Sequence, residues 1–301
     1  MASSRLKSAS SLLSGEAAPA ALVDLVLASL RSPHTRRSYA AGIHALYQFK
    51  EARLLSPGLL YEWREQLRVG SAPATVNVRL AAVKKLVAEA IHAGYLTEVE
   101  AMPLLRVHGL PYLGSRVGNW LSPAQARALL AVPDRKRPLG CRNYCILAIL
   151  LGCALRVSEL AQLEVASIQL RDGRWVLADV LKKRHVRTVA IPAFVKVAID
   201  AWRKRSGIEH GPLIRQMSEK ATTLTTQGIL NVVRSSAARI GLAGIGPHDL
   251  RRTCARAMWA KRVPLEQIQI MLGHQSIETT MRYLGSLQNL VHAPNDDLGY
   301  S

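Results

Sequence analysis

Along the first third of the chain, apolar positions recur every three or four residues, in AALVDLVLASL, TRRSYAAGIHALYQFKEA and TVNVRLAAVKKLVAEAIHAG. That period puts side chains on one face of a helix, so the stretch predicts an all-helical segment. Ser32 or Thr35 is a candidate N-cap for the second helix, and Ser71 or Thr75 for a later one, since short side-chain oxygens accept first-turn N–H groups. Gly94 follows the last run and suits a helix end that needs a left-handed residue. The break HGLPYLGSRVG over 108–118, with Pro111, reads as a linker. It divides the chain into segments 1–112 and 113–301.

The second segment opens with WLSPAQARALLAV, where Ser122 as N-cap and Pro123 at the first helical position mark a start. A helix from about 140 to 154, apolar almost throughout, comes next, then a short one over Val157–Leu163. RDGRWVLADVLKKRHVRTVAIP has alternating and β-branched residues on either side of a basic turn, which predicts a small antiparallel sheet. AFVKVAIDAWRKR, TTQGILNVVRSSAARIG, PHDLRRTCARAMWAKR, PLEQIQIMLG and SIETTMRYLG return to the helical period. The expected fold class is mainly α with a small antiparallel β-sheet: a helical first domain and a mixed α/β second one.

Composition narrows the class of function. With 49% hydrophobic and 20% charged residues the chain is a folded protein. Its longest uncharged apolar run, Tyr144–Leu155, has 12 residues, whereas a membrane span needs about 20. Arg5 and Lys7 imitate a targeting segment, but Gly15, Glu16 and Pro19 interrupt any hydrophobic region after them. No membrane partner and a cytoplasmic location are therefore expected. Cys141, Cys145, Cys153 and Cys254 form no CxxC pair and read as core thiols in a reducing compartment. The formal charge of +19 points to a polyanion. Residues 1–112 hold 13 Lys/Arg against 8 Asp/Glu, and residues 113–301 hold 27 against 13, so +14 of the excess lies in the second segment. At 5% aromatic residues, single-strand binding by base stacking is disfavoured.

No GxxxxGK[ST] and no HExxH occurs, and carboxylates are sparse in the basic half, so neither a nucleotide nor a metal cofactor is expected. An enzyme acting on DNA would have to work with cationic side chains. Four places supply them: Arg156 in ALRVSEL, the turn Lys182-Lys183-Arg184-His185, His248-Asp249-Leu250-Arg251 after Gly246-Pro247, and Leu272-Gly273-His274 followed by SIETTMRY. Each residue alone also has an ordinary structural role. Arg156 can cap a helix and pair with Glu159, His248 can cap its own helix, and Tyr283 can pack a core. Either Lys182 or Lys183 fits the turn. Together, in this order and spacing, they favour chemistry.

The order R…K…HxxR…LGH, with Tyr283 nine positions after His274, resembles the tyrosine recombinase or integrase family, and ALRVSEL, HDLRRT and LGHQSIETTMRY strengthen the likeness. The helical segment with TRRSYAAGI resembles that family's core-binding domain, so the likeness covers nearly the whole chain. By position it implies a catalytic set of Arg156, Lys182, His248, Arg251, His274 and Tyr283, with Glu159 as an accessory member. It further implies double-stranded DNA as partner and a homotetramer on synapsed sites, with residues 284–301 docking onto a neighbour. A type IB-like topoisomerase and a non-catalytic DNA-binding protein of the same fold are the alternatives. Three departures stand out: Ala154 where the family usually has Gly, no His two residues after Tyr283, and LKKRH where many members flank the Lys with Gly.

The chemistry fits these residue types. Attack on a phosphodiester puts negative charge on two non-bridging oxygens, which the paired donors of Arg156 and Arg251 can clamp. His248 and Arg251 are three apart on a predicted helix and share a face, near an N-terminus that favours phosphate. Tyrosine, with an ordinary pKa of about 10, needs a proton acceptor or a stabilised phenolate. His248 suits the acceptor role, His274 can donate to a phosphate oxygen, and Lys182 can protonate the leaving 5′ hydroxyl. Further DNA contacts are expected from Thr35, Arg36, Arg37, Arg79 and Lys84, with Tyr39, Asn77 and Lys85 nearby, and from Lys183, Arg184 and Arg252.

Overall fold

The computed structural model describes residues 20–111, 119–182, 185–217 and 222–285. The N-terminal start, residues 112–118 of the linker, Lys183, Arg184 and the tail from 286 onward lie outside the described residues. The chain divides into two compact units, Met1–Gly114 and Ser115–Ser301.

The first unit is helical: α1 (Ala20–Ser29), α2 (Pro33–Lys50), α3 (Pro57–Gly70), α4 (Pro73–His92) and α5 (Glu98–Leu105). Ser32 caps α2 by accepting from the Thr35 N–H. For α4 the expectation of a Ser71 or Thr75 cap is wrong. Its N-cap is Ala72, with no side-chain hydrogen bond, because Pro73 at the first helical position fixes the start and Ser71 instead ends α3. Helix α4 is the centre, burying Val76, Leu80, Val83, Leu86, Val87 and Ala90. Gly42 of α2 lets it come close to α4: a Cβ there would meet Ala82 Cβ at 3.2 Å and Arg79 Cα at 3.3 Å.

The second unit is built around α7 (Pro138–Cys153), preceded by α6 (Pro123–Ala131). From Cys145 to Cys153 every residue of α7 is buried, which is why its sequence is apolar on all sides. The four cysteines are buried and free. After the single-turn α8 (Val157–Ala161) comes an antiparallel sheet of β1 (Ile168–Arg171), β2 (Arg174–Lys182) and β3 (His185–Ala190), in that spatial order. Asp172 and Gly173, both at positive φ, form the two-residue turn between β1 and β2. Asp179, at φ 56°, lies in a register shift between Leu177 and Val180, a bulge that lines the same cavity as Glu159.

Helices α9 (Ala193–Ser206), α10 (Thr226–Ala238), α11 (Pro247–Ala260), α12 (Leu265–Leu272) and α13 (Ile277–Leu284) complete the unit. The main core takes α7, α9, α10 and the inner face of the sheet. A smaller cluster of Ala154, Cys254, Ala255, Ile268, Leu272 and Leu284 joins the end of α7 to α11, α12 and α13. That second cluster decides where α13, and Tyr283 on it, sits. Among the described residues no helix is long and apolar enough to cross a membrane.

Candidate active site

The end of α7 sets the first part of the site. Ala154 closes that helix in the left-handed region, at φ 50° and ψ 34°, and is fully buried. Any side chain is disfavoured there, which accounts for the glycine the family usually carries. Arg156 follows as the N-cap of α8. Glu159 reaches back to it twice, accepting from the Arg156 backbone N–H at 2.7 Å and from Nη1 at 2.7 Å. The pairing expected of a plain helix cap is thus present, and it orients the guanidinium, whose side chain keeps an edge of 23% exposed.

Glu159 has a second and stronger partner that sequence reasoning missed. Arg187 of β3 binds its carboxylate with two parallel hydrogen bonds, 2.9 Å from Nη1 and 2.8 Å from Nη2. Both side chains are nearly dry, at 7% and 3% exposure. Burial alone would raise the Glu159 carboxyl; the hydrogen bonds and charge of Arg187, with those of Arg156, outweigh it and hold the group at about 2. Arg251 Nη1 lies 3.9 Å from the same carboxylate. A signal for Arg187 did exist: in HVRTVAI, Arg187 falls in step with Val189 and Ile191, which are buried, while Val186 and Thr188 face out.

Helix α11 brings His248, Arg251 and Arg252. Arg251 is fully buried, donating to the carbonyls of Ala154 and Leu272. Burial, then the neighbouring charge of Arg156, lowers its pKa to about 10. His248 has an edge in solvent; desolvation by the surrounding protein, then the charges of Arg251 and Arg252, lower its imidazole from the ordinary 6.5. It is therefore neutral at physiological pH and able to accept a proton. Arg252, expected as a DNA contact, lies over the Tyr283 ring at 4.7 Å and 3.7 Å from Asp249 Oδ1.

The end of α12 carries His274. Gly273, the αL residue that stops the helix at φ 59°, has no room for a side chain: a Cβ would stand 3.2 Å from both Cδ and Nη1 of Arg187. The last-turn carbonyls of Met271 and Leu272 accept from Arg187 Nε, at 2.9 Å, and from Arg251 Nη2. These oxygens have no partner within the helix and carry its negative dipole end. His274 Nδ1 shares a hydrogen bond of 3.1 Å with Thr280 Oγ1 on α13.

Tyr283 closes the group. Its hydroxyl donates to the His248 carbonyl at 3.2 Å. The rings of His248 and His274 meet it edge-on, at centroid distances of 5.4 and 5.2 Å. Burial raises the phenol above its ordinary 10.0, while Arg251 and Arg252 pull it down. The resting hydroxyl is protonated and has cations waiting for its charge. Arg156, Glu159, His248, Arg251, His274 and Tyr283 are all brought together in this way. Four guanidiniums, of Arg156, Arg187, Arg251 and Arg252, face the carboxylates of Glu159 and Asp249, an excess of positive charge suited to an anion. A cavity of 390 Å³ lined by Arg156, Ser158, Gln227 and His248 opens beside them. Among the described residues no group of His, Cys, Asp and Glu could hold a metal ion.

Lys182 is the last residue of β2 and pairs with His185 across the hairpin; its side chain lies outside what is described, as do Lys183 and Arg184. In the first unit Arg36 and Arg37 are exposed, and Thr35, Arg79 and Lys84 are half-buried. Arg36 also donates to the Leu30 carbonyl at 2.7 Å. Asn77 is committed internally, bonding both N–H and C=O of Leu110 at 2.7 and 2.9 Å. Tyr39 packs against the core of that unit, and Lys85 pairs with Glu89 at 2.6 Å.

The phage integrase family model matches residues 119–289. A tyrosine recombinase of Synechococcus elongatus is 27% identical over 285 residues, covering 87% of this chain and 88% of its own. The tyrosine recombinase XerC of a Mycobacterium species is 28% identical over 279 residues, covering 86% and 90%. Among solved structures, the XerH site-specific recombinase in a post-cleavage complex with its difH substrate superposes with a TM-score of 0.70 at 20% identity, over 83% of this chain and 76% of its own. A lambda integrase dimer on a core site gives 0.68 at 15% identity, over 87% and 92%. At those identities the structural likeness speaks for the fold.

Proposed function

The chain belongs to the phage integrase family of tyrosine recombinases, and from that premise we propose that it cuts and rejoins specific duplex DNA sites through a 3′-phosphotyrosyl intermediate on Tyr283. One observation carries this reading: the Tyr283 hydroxyl lies on His248, edge-on to two imidazoles and against Arg251. A tyrosine in ordinary core packing has no use for that company.

In the proposed step the Tyr283 oxygen attacks the scissile phosphorus and the bond to the 5′ oxygen breaks. His248, neutral because its pKa is depressed, takes the phenol proton. Arg156, through its exposed edge, and Arg251 neutralise the non-bridging oxygens, and His274 donates a hydrogen bond to one of them. Lys182 protonates the departing 5′ oxygen. One phosphoester replaces another, so rejoining is the reverse reaction and draws on no nucleotide or metal. Residues 113–301 are the catalytic domain, and residues 1–112 bind the duplex through Thr35, Arg36, Arg37, Arg79 and Lys84. Recombination joins two duplexes, each cut on both strands, and a homotetramer working in the cytoplasm supplies the four tyrosines.

A duplex nicked just beyond the cleavage site loses its 5′ fragment and traps the adduct. The wild-type protein is expected to form a covalent complex, and Tyr283→Phe to bind the same duplex and form none. Binding without an adduct in either protein rejects the enzyme reading.

A further inference from the structure

We propose that Arg187 is a positioning residue for DNA cleavage, the anchor that sets the β2–β3 hairpin, Arg156 and the His274 turn at fixed distances from one another. The inference rests on the function proposed above. Three bonds support it. Nη1 and Nη2 hold both oxygens of Glu159, which in turn holds the backbone and side chain of Arg156. Nε holds the Met271 carbonyl, three residues before His274. The side chain itself stands on β3, where Arg187 pairs with Val180. One buried guanidinium therefore joins the three segments that carry Arg156, Lys182 and His274.

The geometry demands arginine. Lysine has one nitrogen and cannot serve two carboxylate oxygens and a carbonyl from one planar group. The neighbouring chain has adapted to it: Gly273 approaches so closely that a Cβ would be 3.2 Å from Arg187 Cδ and Nη1. Lys182 lies two residue pairs further along the same ladder, through Leu181↔Val186 to Lys182↔His185, or about 7 Å of strand. Arg187 thus fixes the base of the hairpin that presents the proposed general acid, without touching DNA itself.

A positioning role predicts a loss in the rate of the bound complex and not in its formation. The test is single-turnover cleavage of the nicked duplex at saturating protein, with the dissociation constant measured by gel shift and the folded fraction by thermal melting. Arg187→Lys is expected to cleave at least tenfold more slowly, approaching the roughly hundredfold cost of an ångström-scale misplacement. Its DNA affinity should stay within about threefold of wild type, since no DNA contact is removed. The double variant Arg187→Met with Glu159→Gln removes the buried charge pair together and leaves Arg156 facing a neutral amide; folded, it should be as slow as Arg187→Lys. Cleavage by Arg187→Lys or by the folded double variant within threefold of wild type overturns the inference. So does a slow rate that the unfolded fraction accounts for in both. If wild type itself forms no adduct, the parent reading fails with it; if wild type reacts and Arg187→Lys matches it, the positioning role alone fails.

Discussion

Replacing Glu159 by Gln removes one charge and almost no volume from the centre of the site. The carboxyl sits at about 2 in the folded protein against an ordinary 4.5. At about 1.4 kcal/mol per pKa unit, that gap is worth about 3 kcal/mol of stability at neutral pH. The value agrees with the roughly 3–5 kcal/mol lost when one partner of a buried ion pair is removed, as expected when Arg187 and Arg156 both lose their counter-charge. The sign follows from a folded pKa below the unfolded one. The contribution is complete above about 4.5 and is lost as pH falls toward 2. Urea titration followed by tryptophan fluorescence reads the second unit, which holds four of the five tryptophans (Trp120, Trp175, Trp202 and Trp259), once Trp63→Phe has removed the one in the first unit from both proteins. With a slope of about 2 kcal/mol per molar, the midpoint of Glu159→Gln should drop by about 1.5 M at pH 7. By about pH 3 the gap between the two proteins should be less than half as large. A difference under about 1 kcal/mol at pH 7, or one that does not shrink in acid, refutes the assignment of Glu159 as the charged hub.

Gly273→Ala puts a side chain at a left-handed position and into contact with Arg187. It should cost about 2 kcal/mol in urea titrations and slow cleavage of the nicked duplex; a neutral result contradicts the tight approach. For Ala154→Gly, relief of a left-handed backbone worth about 1–2 kcal/mol is offset by about 0.8 kcal/mol for the buried methyl and about 0.4–1 kcal/mol for a freer unfolded chain. Stability within about 1 kcal/mol of wild type is expected by the same titration, and a larger loss shows that the methyl is needed in the small core. Single-turnover cleavage should rise with pH along a limb centred below 6.5, because the base form of His248 is required and its pKa is depressed. Arg252→Gln removes one of the depressing charges and should move that limb upward; a limb that stays put takes Arg252 out of the site's electrostatics.

Much of this site was legible because the reactive residues sit in short linear strings. ALRVSEL places Arg156 three before Glu159, HDLRR puts two residues of the set on one turn of α11, and LGHQSIETTMRY spans a cap, a turn and one helix face. Ser122-Pro123 likewise marked the start of α6 as found. What stayed hidden depends on partners distant in sequence. Arg187 meets Glu159 across 28 residues, and the two-residue alternation that puts it on the inner face with Val189 and Ile191 does not name the carboxylate it meets there. Strand β1 lies, but for Arg171, outside the stretch whose alternation predicts the sheet; it has only four residues, and Asp172-Gly173 is the local hairpin signal that marks it. Asn77, near the expected contact Arg79, is used up by Leu110, 33 residues away. Arg252, expected as a DNA contact, also lies on Tyr283, a contact that only the packing of α13 creates.

The central claim is that Tyr283 becomes covalently joined to DNA. Peptide mass spectrometry of the complex trapped on a nicked duplex tests it directly. The account predicts that the DNA-modified peptide contains Tyr283 and that the linkage is to a 3′ phosphate. A modified residue other than Tyr283, or an undiminished adduct from Tyr283→Phe, contradicts it.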